Sequence, residues 1–208
     1  MEDKRPLEKY HIIEIDLAKE LAHGICVSNL AVRLGRELEL SEEICYQLGV
    51  AGLVHDIGKL EMAKEIGPDS VNDRLRVEEM RYVRTHAGLG YMILREQGYP
   101  EEIQNWVLNH HENYDGSGYP SNKAGEEIPL GARILRICDV FAALTMDRPY
   151  RKAFDVATAI ELMIAEVKNF DMKIFLKFLN VVNTEDISQL MERQIRQNLR
   201  KAEKGDSK

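Results

Sequence analysis

Apolar residues recur along this chain at intervals of three and four. Ile12, Ile15 and Leu17 open the pattern, Leu30, Leu34 and Leu38 continue it, and Ile44, Leu48 and Ala51 form a third row. That spacing lines one face of an α-helix. Ser41 followed by Glu42 and Glu43 is a start signal for the third row, because a hydroxyl can accept from a free amide and early acids oppose the helix dipole. Further helical stretches are predicted at about 76–97, 101–112, 130–146, 156–168 and 171–203. Two segments break the pattern, IGPDSVND at 66–73 and NYDGSGYPSNKAGEEIP at 113–129, and their glycines and prolines predict loops. No run sustains two-residue alternation, so the reading is an all-α, single helical bundle.

Four of these rows carry an ionisable residue where an apolar one belongs. His55 extends Ile44, Leu48, Ala51 by one turn, and His110 extends Ile103, Trp106, Val107 in the same way. His86 sits three residues from both Val83 and Leu89, and Asp139 continues Ala132 and Leu135 toward Ala142. Taken alone, an inward histidine is most often a core residue with one hydrogen bond. Four helices each delivering such a group is different, since buried His and Asp are costly unless paired or bound to metal. A shared metal centre in the core accounts for all of them. His55-Asp56 and His110-His111 are adjacent pairs at helix ends, where a turn lets both side chains face one cavity. Imidazole and carboxylate suit zinc, manganese or iron. His11 has no inward row and reads as a surface residue; Cys138, Trp106 and the methionines read as core.

Composition narrows the classes. The chain has 208 residues, 44% hydrophobic and 30% charged, with 28 Lys+Arg against 35 Asp+Glu and a formal charge of −7. This is the wrong sign for a generic grip on DNA, and no run approaches the roughly 18 apolar residues of a membrane span. The 3 cysteines, Cys26, Cys45 and Cys138, fit no CxxC pattern, and MEDKRPLEKY has no apolar signal core, so a cytoplasmic location is expected. No sensory domain fits in the remaining residues, which predicts regulation in trans or by a domain outside this sequence. The charged tail reads as a solvated final helix or a weak partner surface.

After His111 the segment ENYDGSGYP combines tight-turning glycines with Tyr119, an aromatic able to stack on a base. Arg133, Arg136, Arg148, Arg151 and Lys152 then make a local basic excess. It suits a phosphate-bearing ligand, although pairing with the many acids is an equal reading for Arg133 and Arg136.

These motifs resemble the HD-GYP family of metal-dependent phosphohydrolases. His55-Asp56-Ile57-Gly58-Lys59 is similar to its HD signature. His110-His111-Glu112 through Asp115-Gly116-Ser117-Gly118-Tyr119-Pro120 is similar to its GYP signature, and residues 134–153 are similar to its third block. The resemblance implies an HD-type bundle over 20–182, with 1–19 a helical extension and 183–208 a charged helix and tail. It implies His23, His55, Asp56, His86, His110, His111 and Asp139 as ligands of two divalent ions, commonly iron or manganese, with zinc, nickel or magnesium as other choices, and Asp56 between them. It further implies that Lys59 contacts phosphate and that Gly118, Tyr119, Arg148 and Arg151 help hold cyclic di-GMP. The reaction implied is hydrolysis to linear pGpG, sometimes onward to GMP, by a metal-bridging hydroxide, with Asp56 and Lys59 as the catalytic pair. A member with a third metal carries Glu one turn before the first His; Lys19 stands there and Glu20 is one residue late, so two metals are expected. Ala142 stands where a second Asp is frequent, and the segment between Lys59 and His86 departs from the family pattern. The alternatives are a cyclic di-GMP receptor with little turnover, signalling through protein partners, and a phosphohydrolase acting on another cyclic dinucleotide or nucleotide.

Overall fold

The Ser41 hydroxyl accepts the Ile44 amide at 3.3 Å and starts helix α2 (Glu42–Val54). In this computed structural model, which describes residues 17–65, 84–148 and 151–182, the earlier rows merge. Leu30 and Leu34 belong to one long helix, α1 (Leu17–Glu37), Leu38 lies just past its end, and Ile12 and Ile15 fall outside the described residues. The expected boundary between residues 19 and 20 therefore falls inside a continuous helix. The chain continues through α3 (Gly58–Glu65), α4 (His86–Glu96), α5 (Glu101–Asn109), α6 (Leu130–Thr145), α7 (Val156–Ala165) and α8 (Met172–Val182). The remainders of the stretches expected at 76–97 and 171–203 lie partly outside the described residues, as do His11 and the tail from residue 183. Among the described residues there is no β-strand, and the only bridge is the isolated one between Arg148 and Arg151. No helix there is long and apolar enough to cross a membrane.

Helix α6 sets the architecture. Its buried residues Ala132, Ile134, Leu135, Ile137, Cys138, Phe141 and Ala142 cover most of its circumference, and a helix apolar on so many sides has to be surrounded. It packs on α1, α2, α5, α7 and α8. Phe141 meets Phe178 of α8 edge to face with ring centroids 5.2 Å apart, and Phe175 stacks on Phe170 at 5.5 Å. Trp106 and Cys138 are core, as expected.

The two equal readings of Arg133 resolve toward pairing. Its Nη1 donates to Asp171 Oδ2 at 2.7 Å in a mostly buried ion pair. The other Asp171 oxygen accepts the Lys173 amide at 2.9 Å and caps α8, so one carboxylate fastens the last described helix to the central one. Replacing Arg133 with Met leaves that carboxylate buried without its cation, a loss of about 3–5 kcal/mol. Urea denaturation is expected to show a lowered midpoint with an unchanged slope.

Candidate metal centre

The backbone explains why the ligand candidates meet. His23 lies in α1, and His55 is the C-cap of α2, followed at once by Asp56 in the turn into α3. His86 is the first residue of α4, His110 is the C-cap of α5 with His111 next, and Asp139 sits mid-way along α6. Both adjacent pairs thus occupy turns, where consecutive side chains can point the same way. Gly58 brings α3 against α4: a Cβ there would overlap the His86 carbonyl oxygen, so only glycine permits this approach.

Two groups of donors result, each within 4.8 Å: His23, His55 and Asp139, and Asp56, His86, His110 and His111. In the first, Asp139 Oδ1 lies 2.9 Å from His23 Nε2 and 3.7 Å from His55 Nε2. In the second, His86 Nε2 lies 3.0 Å from His111 Nε2 and 3.4 Å from His110 Nε2. Asp56 faces both. Its Oδ1 is 3.2 Å from His86 Nε2, while its Oδ2 is 3.2 Å from His55 Nε2 and 4.0 Å from His23 Nε2.

The donor chemistry fits metal. His55 Nδ1 lies 2.8 Å from the Gly52 carbonyl and His110 Nδ1 2.5 Å from the Val107 carbonyl. A carbonyl can only accept, so both imidazoles carry hydrogen on Nδ1 and, when neutral, aim the Nε2 lone pair at the cluster. Among the described residues the buried His55 Nε2 makes no well-directed hydrogen bond, although Asp56 Oδ2 lies 3.2 Å away. Lone pairs of nitrogen and carboxylate oxygen crowded together repel one another unless a cation lies between them, and this all-N/O set suits zinc, iron or manganese.

Comparison with known proteins agrees. The HD domain family model matches residues 9–174. The chain belongs to the HD domain family. It is 36% identical over 173 residues to the cyclic di-GMP phosphodiesterase PA4108 of Pseudomonas aeruginosa, covering 81% of this chain and 41% of that protein. It is also 36% identical over 157 residues to the 3'3'-cGAMP-specific phosphodiesterase 1 of Vibrio cholerae, covering 74% of this chain and 36% of that one. The crystal structure of the V. cholerae cyclic GMP-AMP phosphodiesterase V-cGAP3 shares its fold, with a TM-score of 0.64 at 19% identity over 86% of this chain and 51% of the other. The chain spans about two fifths of the length of the curated relatives it matches.

Inside this HD domain burial and charge pull in opposite directions. Burial alone would raise Asp56, but His55 and Lys59 hold it well below the ordinary carboxylate value; Asp139 is likewise held down by His23 and His55. Burial works to lower His55, yet Asp56 and Asp139 raise it to about 10. Burial and its histidine neighbours push His110 down, and burial takes His111 to about 3. Lys59 Nζ sits 2.6 Å from Asp56 Oδ2 and 3.2 Å from Glu20 Oε2. Glu20 therefore belongs to the site's periphery; its three-residue spacing from His23 on one helix face is the sequence signal for it.

The rim comes from the loop after α5. The Tyr119 amide donates to the His111 carbonyl at 3.2 Å, and the Tyr119 ring stacks on His111 at 4.7 Å between centroids. Gly118 serves this closure: a Cβ there would strike the backbone of Glu112 and Asn113. Buried Glu112 accepts the Ser121 amide at 2.7 Å and holds the loop's far side. Arg148 and Arg151 exchange backbone hydrogen bonds of 2.8 and 3.1 Å. The Arg151 guanidinium donates to the carbonyls of Ala143 and Leu144 at 2.7 and 3.0 Å, closing the C-terminal end of α6. It is thus largely committed to the fold.

Two expectations follow. Gly118→Ala overfills the contact with the His111–Asn113 turn and costs about 1–3 kcal/mol, read as a lowered melting temperature. In metal-free protein His111 near 3 against an ordinary 6.5 means that the unfolded chain takes up the extra proton, so stability falls as pH drops from 6.5 toward 3. The depressed Asp56 and Asp139 extend that loss at the acid end. His55, raised to about 10, has the opposite slope only above 6.5. Urea midpoints measured across this range check the sign.

Proposed function

We propose that this chain is the hydrolytic module of a cyclic dinucleotide phosphodiesterase that opens cyclic di-GMP to linear pGpG, with onward cleavage to GMP left to the product analysis below. The observation that supports this reading is the Asp56 carboxylate, which turns one oxygen toward each of two donor groups. Residues His23, His55 and Asp139 would hold one divalent ion and His86, His110 and His111 the other, with Asp56 common to both; iron or manganese suits the mixed imidazole and carboxylate set. Bound there, the ions supply a water of lowered pKa and offset charge on the attacked phosphate.

The chain's own residues do the rest. The carbonyl contacts of His55 and His110 orient their rings. Lys59, fixed by Asp56 and Glu20, keeps a third N–H for a nonbridging phosphate oxygen, which makes Asp56 and Lys59 the catalytic pair. Tyr119 and Gly118 form the wall that the substrate meets, with Arg148 beside the exit of α6. The relatives bear cyclic di-GMP and 3'3'-cGAMP activities in their names, which supports the dinucleotide class over a single nucleotide.

The test is anaerobic purification, metal analysis and product chromatography with cyclic di-GMP and 3'3'-cGAMP side by side. About two equivalents of metal are expected, as in two-metal sites that clamp a phosphodiester, with linear dinucleotide as product. His23→Ala should lose one equivalent and Asp56→Ala both, with turnover at the buffer background. Parental turnover by metal-loaded Asp56→Ala, or saturable binding with no product over hours, defeats the proposal; the latter outcome identifies a receptor.

A further inference from the structure

A cyclic dinucleotide carries two phosphodiesters, and only one can be cut at a time. The other keeps its full negative charge and needs its own partner. The inner pocket is a poor host, since Glu20, Asp56 and Asp139 line it and Lys59 is already bound to two of these carboxylates. Arg151 points most of its guanidinium at the Ala143, Leu144 and Lys152 carbonyls, and Arg133 pairs with Asp171.

Two cations on the rim are differently placed. Arg84 lies over the Tyr119 ring, its guanidinium carbon 5.2 Å from the centroid. Arg136 stands one turn before Asp139 on α6, and its Nε donates to Asn113 Oδ1 at 3.0 Å. Its charge bears on both His111 and Tyr119. Neither guanidinium meets a carboxylate among the described residues, and the Asn113 bond occupies one of the five N–H groups of Arg136. A planar fork held by an amide is prearranged for a phosphate.

We infer that Arg84 and Arg136, flanking the Tyr119–His111 stack, form the subsite for the phosphodiester that is not cut, and so select a two-phosphate ring over a single phosphodiester. This rests on the proposed reading of the centre. A merely structural role for the pair would affect all substrates alike.

The experiment compares Arg84→Met, Arg136→Met, their double variant and Arg136→Lys, each checked for metal content and melting temperature. Steady-state kinetics use cyclic di-GMP and bis(p-nitrophenyl) phosphate, which has one phosphodiester, and calorimetry measures cyclic di-GMP binding directly. Each Met variant is expected to raise KM for cyclic di-GMP about tenfold and the double variant about a hundredfold, as for lost hydrogen bonds to a charged group. A change in kcat below about threefold would mark the loss as one of binding. The ratio of kcat/KM between the two substrates falls in step, and Arg136→Lys recovers part of it. An unchanged ratio in the double variant overturns the subsite. If the parent cleaves the nitrophenyl ester but no cyclic dinucleotide, the proposed function fails by itself and calorimetry decides: weaker cyclic di-GMP binding by the double variant keeps the subsite, while equal binding, or none by the parent, removes it.

Discussion

One carboxylate placed between two sets of imidazoles constrains everything around it. Asp56 is half-buried, and desolvation works to protonate it; His55 and Lys59 keep it ionised. Its two oxygens face two donor groups, in each of which the nitrogens and oxygens crowd within 4.8 Å of one another. Such an arrangement is costly in a dry core unless positive charge fills it. Every nearby element serves that arrangement, from the carbonyls that orient His55 and His110 to the Lys59 ammonium at the edge.

The bundle builds this centre from helix ends. A residue inside a helix presents one side chain per turn to a given point, whereas the turns after α2 and α5 each present two in succession. Asp139 reaches the centre differently, from the middle of α6, because that helix is enclosed on most sides and Asp139 lies on one of its buried faces. The hydrophobic packing that surrounds α6 is therefore also what sets the reach of the candidate metal ligands. Arginines show how context assigns roles to one residue type. Arg133 fastens α8, Arg151 closes α6, and Arg84 and Arg136 stand at the rim without a carboxylate partner among the described residues.

Much of the site was legible in the order of residues. His55, His110 and Asp139 stand in apolar rows, so the three-and-four spacing alone points them inward, and the structure buries all three. The Ser41 cap was equally readable, because capping depends on neighbours a few residues away. The contact of Glu20 with Lys59 was not legible, since it spans 39 residues in sequence; only the three-residue spacing of Glu20 from His23 hints at its place beside the site. Helix ends were also overrun: α5 stops at Asn109, so that His110 and His111 can turn inward together, whereas periodicity alone carried the helix to 112.

Sequence by itself determined the helical class, the inward faces and the identity of the ligand types, because these depend on spacing and chemistry that are local to the chain. Only tertiary structure decided the division into two donor groups, the place of Asp56 between them, and which arginines are consumed by the fold. Those are matters of distance between segments far apart in the chain, fixed by how the helices pack around α6, and no periodicity encodes them.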